Sequence, residues 1–224
     1  MKVSCIIPIY NEADRVSSVL NAVSGHELVD EVIVVDDGST DDSMAVLQMH
    51  RGIHLISYSK NRGKSFAVMT GIKQSKNDIV MMIDSDLIGL EKRNITELIE
   101  PVTRGRADIT ISLRKNCLWV YKILGLDFVS GERVFYKKII ENLKELERLP
   151  GFGLETYING IIIKKRLRLK VVCWDKVISP RKSKKIGWWQ GIRKDYSMVL
   201  QIISIISLPK VVYLMYRMRA LRVK

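Results

Sequence analysis

Cysteine is scarce in this chain. The three that occur, Cys5, Cys117 and Cys173, stand too far apart to form a zinc knuckle or to frame a small disulfide scaffold. This usage fits a reducing compartment, with Cys5 a small core residue inside an apolar run. Histidine is equally sparse: His26, His50 and His54 match no metal or triad spacing, and each reads as structural. There is no Ser/Cys–His hydrolase arrangement and no dinucleotide-type glycine fingerprint after the first apolar run. The first twelve residues are no signal peptide, because the apolar run meets Pro8 and Asn11 at once. Internal repeats and low-complexity linkers are absent, and a 47% hydrophobic, 27% charged composition excludes wholesale disorder.

Acidic residues nearly vanish after residue 163. Residues 164–224 hold 17 Lys/Arg against Asp175 and Asp195 alone, so the net charge of +13 belongs to the last quarter of the chain. Such a block attracts anionic lipid, nucleic acid or phosphorylated substrates. It also contains an apolar stretch over residues 198–215, about as long as a short membrane span but interrupted by Gln201, Ser204, Ser207, Pro209 and Lys210. The pattern predicts one or two amphipathic helices lying in a membrane interface, with Trp188 and Trp189 at headgroup depth. A true span, a dimer interface and ordinary domain packing are the competing readings. On this basis the chain divides into a domain over 1–178 and a basic, apolar, membrane-associating tail over 179–224.

What the first half contains is an alternation of apolar strands and amphipathic helices. Strands are expected at 3–9, 31–35, 53–58 and 78–83, with helices at 13–23, from Ser39–Asp42 to Met49, and at 65–74. Further on, helices are expected at 95–102, 139–149 and from 156, and strands at 107–113 and 167–174. Strands that are apolar on both faces imply a mostly parallel, Rossmann-like sheet with helices on both sides. Ligands of such sheets bind beyond the carboxyl ends of the strands. Glu12, Asp36, Asp37, Asp84 and Asp86 all follow strands there, and a cation would relieve their mutual repulsion. In an extended Asp84–Ser85–Asp86 segment the two carboxylates would reach one ligand while Ser85 points away. Ser39 and Asp41 are expected to cap the second helix.

The motifs Pro8-Ile9-Tyr10-Asn11-Glu12, Val34-Val35-Asp36-Asp37-Gly38-Ser39-Thr40-Asp41, Asn61-Arg62-Gly63-Lys64 and Asp84-Ser85-Asp86 occur in this order. Together they closely resemble glycosyltransferase family 2 with its GT-A fold, over about residues 1–90. Ser130-Gly131-Glu132-Arg133 and Ser183-Lys184 extend the resemblance toward the dolichol- or polyprenol-phosphate sugar synthases. It implies an inverting hexosyltransferase that uses Mg²⁺ or Mn²⁺ and a UDP- or GDP-sugar. Pro8, Tyr10, Glu12, Asp37 and Lys64 would line the donor pocket, and Asp84 and Asp86 would bind metal and diphosphate. Arg133 and Lys184 would stabilise phosphate charge. Glu155, at a predicted helix start, is a general-base candidate for a hydroxyl acceptor, or simply a favourable helix N-terminal charge. A phosphate acceptor would need no base.

Two departures from the synthase pattern stand out: Leu87 is followed by Ile88 where Gln is usual, and Lys185-Ile186-Gly187-Trp188 is an unusual continuation after Lys184. The acceptor implied is lipid-linked, such as a polyprenyl phosphate, at the cytoplasmic face of an anionic membrane, with a soluble or glycan acceptor as the alternative. A homo-oligomer is open. A nucleic-acid-binding module built on the basic tail is the non-enzymatic alternative, disfavoured because it leaves the acidic strand-end cluster without a role.

Overall fold

A computed structural model describes residues 1–142, 146–147, 149, 151, 153–180 and 208–223. The element order is β1 (Val3–Ile9), α1 (Ala13–Val23), β2 (Val29–Asp36), α2 (Ser43–Met49), β3 (Ile53–Ser57), α3 (Lys64–Gln74) and β4 (Ile79–Met82). It continues with α4 (Lys92–Thr103), β5 (Ile109–Arg114), α5 (Trp119–Leu124), β6 (Arg133–Tyr136), α6 (Gly153–Lys164), β7 (Leu169–Trp174) and α7 (Leu208–Ala220). The strands form one seven-stranded sheet in the order β3-β2-β1-β4-β6-β5-β7. Only β6 runs against its neighbours; all other pairings are parallel.

Every residue of β1 and β4 is buried, which is why these strands read as unbroken apolar runs rather than alternating ones. Ile6, Val80 and Met82 pack on one face with α3, α6 and α7, while Cys5, Ile7 and Met81 pack on the other with α1 and α4. Cys5 is thus a core residue, and burial pushes its thiol well above the usual range. His26 is structural too: its Nε2 faces the Lys92 carbonyl and Thr96 Oγ1, and Nδ1 accepts the Leu28 N–H.

The expected helix over 139–149 is not what forms at its start. Lys137–Ile139 is a single 3₁₀ turn and residues 140–142 are not helical. Further along that stretch Leu146 is buried in the core cluster, and residues 143–145, 148 and 150 lie outside the described residues. Helix α5 has no counterpart among the expected elements; its six residues are too few to show a helical period. Of the tail, residues 181–207, including Lys184, Trp188 and Trp189, lie outside the described residues. Helix α7 packs Leu214 and Met218 into the same cluster as α6. Among the described residues no helix is long and apolar enough to cross a membrane.

Candidate active site

The crevice forms where β1 outruns β4. The last β1–β4 pair is Ile6↔Met82, so Ile7, Pro8 and Ile9 continue beyond β4 while the chain after Met82 turns away through Asp84–Ser85–Asp86. The resulting cleft of about 310 Å³ is lined by Pro8, Tyr10, Glu12, Asp37, Lys64, Asp84 and Asp86 among others. Seven residues named from sequence motifs on four separate segments therefore share one wall. Ser85 also borders the cleft, contrary to the alternation expected of it, because the strand has already ended at Met82.

Loop architecture explains several of the remaining motif residues. Asn11 adopts a left-handed φ of 56°, and its Oδ1 accepts the Thr40 N–H at 2.7 Å. Ser39 Oγ accepts the Asn11 N–H, Asp41 Oδ2 the Ala13 N–H, and Ser43 Oγ the Glu12 N–H. Ser39 and Asp41 therefore tie the β1–α1 loop to the β2–α2 loop. The N-cap position of α2 is Asp42, which makes no side-chain cap bond, but Asp41 Oδ1 accepts the N–H of Ser43, the first residue of the helix, at 3.0 Å. Glu12 pairs with Arg15. Asp37, expected at the nucleotide, accepts the backbone N–H groups of Arg62 and Gly63 at 2.9 and 2.6 Å, one on each oxygen. It fixes the Asn61–Lys64 loop against the cleft while still lining it. Arg62 lies over the Phe66 ring, 3.4 Å from its centroid. Gly38 has φ 75°, and a Cβ there would sit 2.8 Å from Asn61 N. Gly38→Ala is expected to cost about 1–3 kcal/mol in urea unfolding, because it adds a clash to a backbone geometry that L residues avoid.

The floor of the cleft is a buried charge network. Lys64 Nζ bridges Asp84 Oδ1 at 2.7 Å and Glu155 Oε1 at 2.9 Å. Burial alone would lower the Lys64 ammonium, but the two carboxylates outweigh it and hold it above the ordinary lysine range. Burial acts upward on Asp84 too, and Lys64 overcomes it, leaving that carboxyl below the usual range. Asp86 is different. Its Oδ2 accepts from Ser179 Oγ at 2.9 Å, its Oδ1 is buried with no partner, and burial together with the Asp84 charge pushes it up to about 6. Gly131 lies against this group: a Cβ there would come within 2.5–2.7 Å of the Asp84 carboxylate and Lys64 Nζ. Only a residue without a side chain lets the Ser130–Gly131 backbone approach so closely.

Arg133 and Glu155 take up positions beneath the cleft. Arg133 is fully buried and donates to the carbonyls of Ser130, Phe128 and Glu155 and to Asn159 Oδ1. Burial draws its guanidinium down to about 10, which leaves it cationic at neutral pH. It braces the segment that carries Gly131 and does not line the cleft, so the expected contact with phosphate is replaced by a strut. Glu155 is 1% exposed, with Oε1 committed to Lys64 and Oε2 buried without a partner. Sequence reasoning missed Arg114 at the end of β5. It spans Asp127 at 3.2 Å and Glu132 at 3.3 Å, and Glu132 also accepts from Ser112 and Ser130. Its signal was position: it is the charged residue at a strand's carboxyl end, as Asp36 and Asp84 are.

No group of three or more His, Cys, Asp or Glu side chains converges as a closed metal cage among the described residues. The donor set suits a hard divalent cation in a different way. Asp86 lines the cleft and has one buried carboxylate oxygen without a partner, and Mg²⁺-type ions take one or two carboxylates and fill their shells with substrate phosphate and water. The sequence profile described as glycosyl transferase family 2 matches residues 4–150. The chain is similar to the dolichol-phosphate mannosyltransferase of Pyrococcus furiosus, at 34% identity over 62% of this chain and 38% of the relative. It is also similar to the undecaprenyl-phosphate 4-deoxy-4-formamido-L-arabinose transferase of Sodalis glossinidius, at 35% identity over 51% of this chain and 37% of the relative. It thus spans well under half the length of either. In fold it resembles glucosyl-3-phosphoglycerate synthase of Mycobacterium tuberculosis, solved with Mn²⁺, UDP-glucose and phosphoglyceric acid, with a TM-score of 0.66 and 24% identity over 83% of this chain and 74% of that one.

Proposed function

This chain belongs to glycosyl transferase family 2, and on that premise we propose that it transfers a hexose from a UDP- or GDP-sugar to a lipid-linked phosphate at the cytoplasmic face of a membrane. The observation that carries the reading is the unpartnered, buried Oδ1 of Asp86, set in a cleft beside the Asp84–Lys64 pair. Buried polar atoms without partners are rare, and one on a residue that lines a cleft at the strand-end switch point is a ligand's place. Support for the donor and the acceptor comes from the relatives, two of which are named for dolichol phosphate and undecaprenyl phosphate, and from the fold neighbour, which was solved with Mn²⁺ and UDP-glucose.

In this reading Asp86, with Asp84, holds Mg²⁺ or Mn²⁺, which when bound supplies charge neutralisation for the departing diphosphate. Pro8, Tyr10 and Glu12 form the donor wall, and Asp37 holds the Asn61–Lys64 loop at the edge of that pocket. Lys64, the one cation among the described lining residues, supplies fixed positive charge to the diphosphate. Glu155 balances Lys64 from below. Its buried, lysine-bound carboxylate is a counter-ion, which suits a phosphate acceptor that is already a nucleophilic anion. Lys184 belongs to the same reading as an acceptor-phosphate cation, and the tail over 179–224 as the membrane-associating element.

Calorimetric titration of UDP- and GDP-sugars, each with Mg²⁺, Mn²⁺ or chelator, tests the donor half. One nucleotide series is expected to bind, and only with metal. Turnover with undecaprenyl phosphate in detergent, against 3-phosphoglycerate, tests the acceptor half, and turnover of the soluble acceptor alone would overturn the lipid assignment. No donor binding under any metal would sink the reading altogether.

A further inference from the structure

Two helices leave large apolar side chains in solvent. On α5, Trp119 is 73% and Ile123 69% exposed. They are four residues apart and so share one helix face, while Tyr121 is turned into the core. On α7, Leu214 and Met218 are buried, whereas Val212, Tyr213 and Tyr216 are 58%, 51% and 72% exposed. The outward side of α7 therefore carries Val212, Tyr213 and Tyr216 beside the exposed Arg219. The helices are neighbours: Arg222, just past α7, donates from Nη1 to the Leu124 carbonyl at the end of α5. Leu221 and Val223 bond to Leu169 of the edge strand β7, which pins the end of the chain there.

We propose that α5 and α7 form a docking face for an anionic lipid bilayer, with Trp119, Ile123, Val212, Tyr213 and Tyr216 entering the headgroup layer. Charge selects this occupant. Neither residues 115–125 nor 208–223 contain an Asp or Glu, while Lys115, Lys122, Lys210, Arg217, Arg219 and Arg222 are all basic. Arg217 stacks its guanidinium 5.6 Å from the Tyr213 ring centroid and bonds its hydroxyl, a pairing of aromatic and cation that suits headgroup depth. A helix apolar on its outer side and flanked by basic residues lies in an interface rather than in water. The face is also linked to the chemistry. The 115–132 excursion leaves the sheet at Arg114 and returns at Arg133, passing Gly131, where an added Cβ would meet the Asp84 carboxylate. This rests on the lipid-acceptor reading for its purpose, but not for its test.

The full chain is mixed with phosphatidylcholine vesicles, with or without about 30% phosphatidylglycerol, and co-sedimented. Wild type is expected to partition onto the anionic vesicles. Trp119→Ser/Ile123→Ser should weaken that binding about tenfold or more, and Arg217→Gln/Arg219→Gln should reduce the preference for phosphatidylglycerol by about fivefold per charge. Donor affinity, measured without vesicles, should be the same for all three proteins, so failure of the docking face and failure of the transferase reading remain separable. Variants that bind vesicles as tightly as wild type would overturn the proposal, as would a wild type that ignores vesicles or uses this face to self-associate or to bind oligonucleotide.

Discussion

Arg133→Met is expected to lower the free energy of unfolding by about 3–5 kcal/mol, the cost of leaving a buried polar network without its central donor. The Phe128 carbonyl would keep Asn159 Nδ2 as a donor, but the Ser130 and Glu155 carbonyls and Asn159 Oδ1 would each lose the guanidinium. Asp84, Asp127, Glu132 and Glu155 would lose a cation that offsets their charge. Methionine replaces the aliphatic stem, so the loss is not a cavity effect. For a chain of this size the melting temperature should fall by on the order of 10 °C, and urea unfolding with circular dichroism detection measures both quantities. A stable Arg133→Met protein that binds donor normally but has lost turnover would place Arg133 at the reacting phosphates and refute the strut.

Asp86→Asn is expected to do the reverse: abolish chemistry and leave the fold intact. Asn preserves the shape and the bond to Ser179 Oγ, yet removes the negative charge and the unpartnered carboxylate oxygen. Turnover should fall at least about 10²-fold, and metal-dependent donor binding should disappear. In metal-free buffer the variant should melt at the same temperature as wild type or higher. Burial and the nearby Asp84 charge push the Asp86 carboxyl up to about 6, so its ionised form opposes folding when no cation is present. The two substitutions thus separate by readout: one costs stability with the donor wall untouched, the other costs catalysis with stability untouched. Differential scanning calorimetry with and without Mn²⁺ plus donor resolves them. Ligand-induced stabilisation of Asp86→Asn equal to wild type would remove Asp86 from the metal site.

The strand-end carboxylates were legible early because a parallel sheet buried on both faces announces itself as apolar runs, and each run ends where the chain must turn polar. Residues 3–9 and 13–23 were read to their observed ends for that reason. Charged residues inside the network were not legible in the same way. Arg133 and Arg114 both look like surface or substrate-facing cations in one dimension. Which of them is sealed under the site depends on β6 running antiparallel between β4 and β5, pairings that join residues as close as Ile111 and Arg133 and as far apart as Ile79 and Tyr136. Ser39 and Asp41 fit a helix-cap pattern equally well; the proximity of two loops diverts Ser39 to Asn11, while Asp41 divides its oxygens between the Ser43 N–H at the start of α2 and the Ala13 N–H.

Local chemistry and hydrophobic period, both written in the sequence, determined the sheet-and-helix class, the family, the acidic rim and the basic character of the last quarter. Tertiary structure decided which charges meet. It put Lys64 between Asp84 and Glu155, left one buried oxygen of Asp86 without a partner beside the cleft, sank Arg133 below it, and turned Trp119 and Tyr216 outward. Those outcomes follow from burial and from long-range strand pairing, because a side chain's partners are set by what the fold brings within a few ångströms and not by its neighbours along the chain.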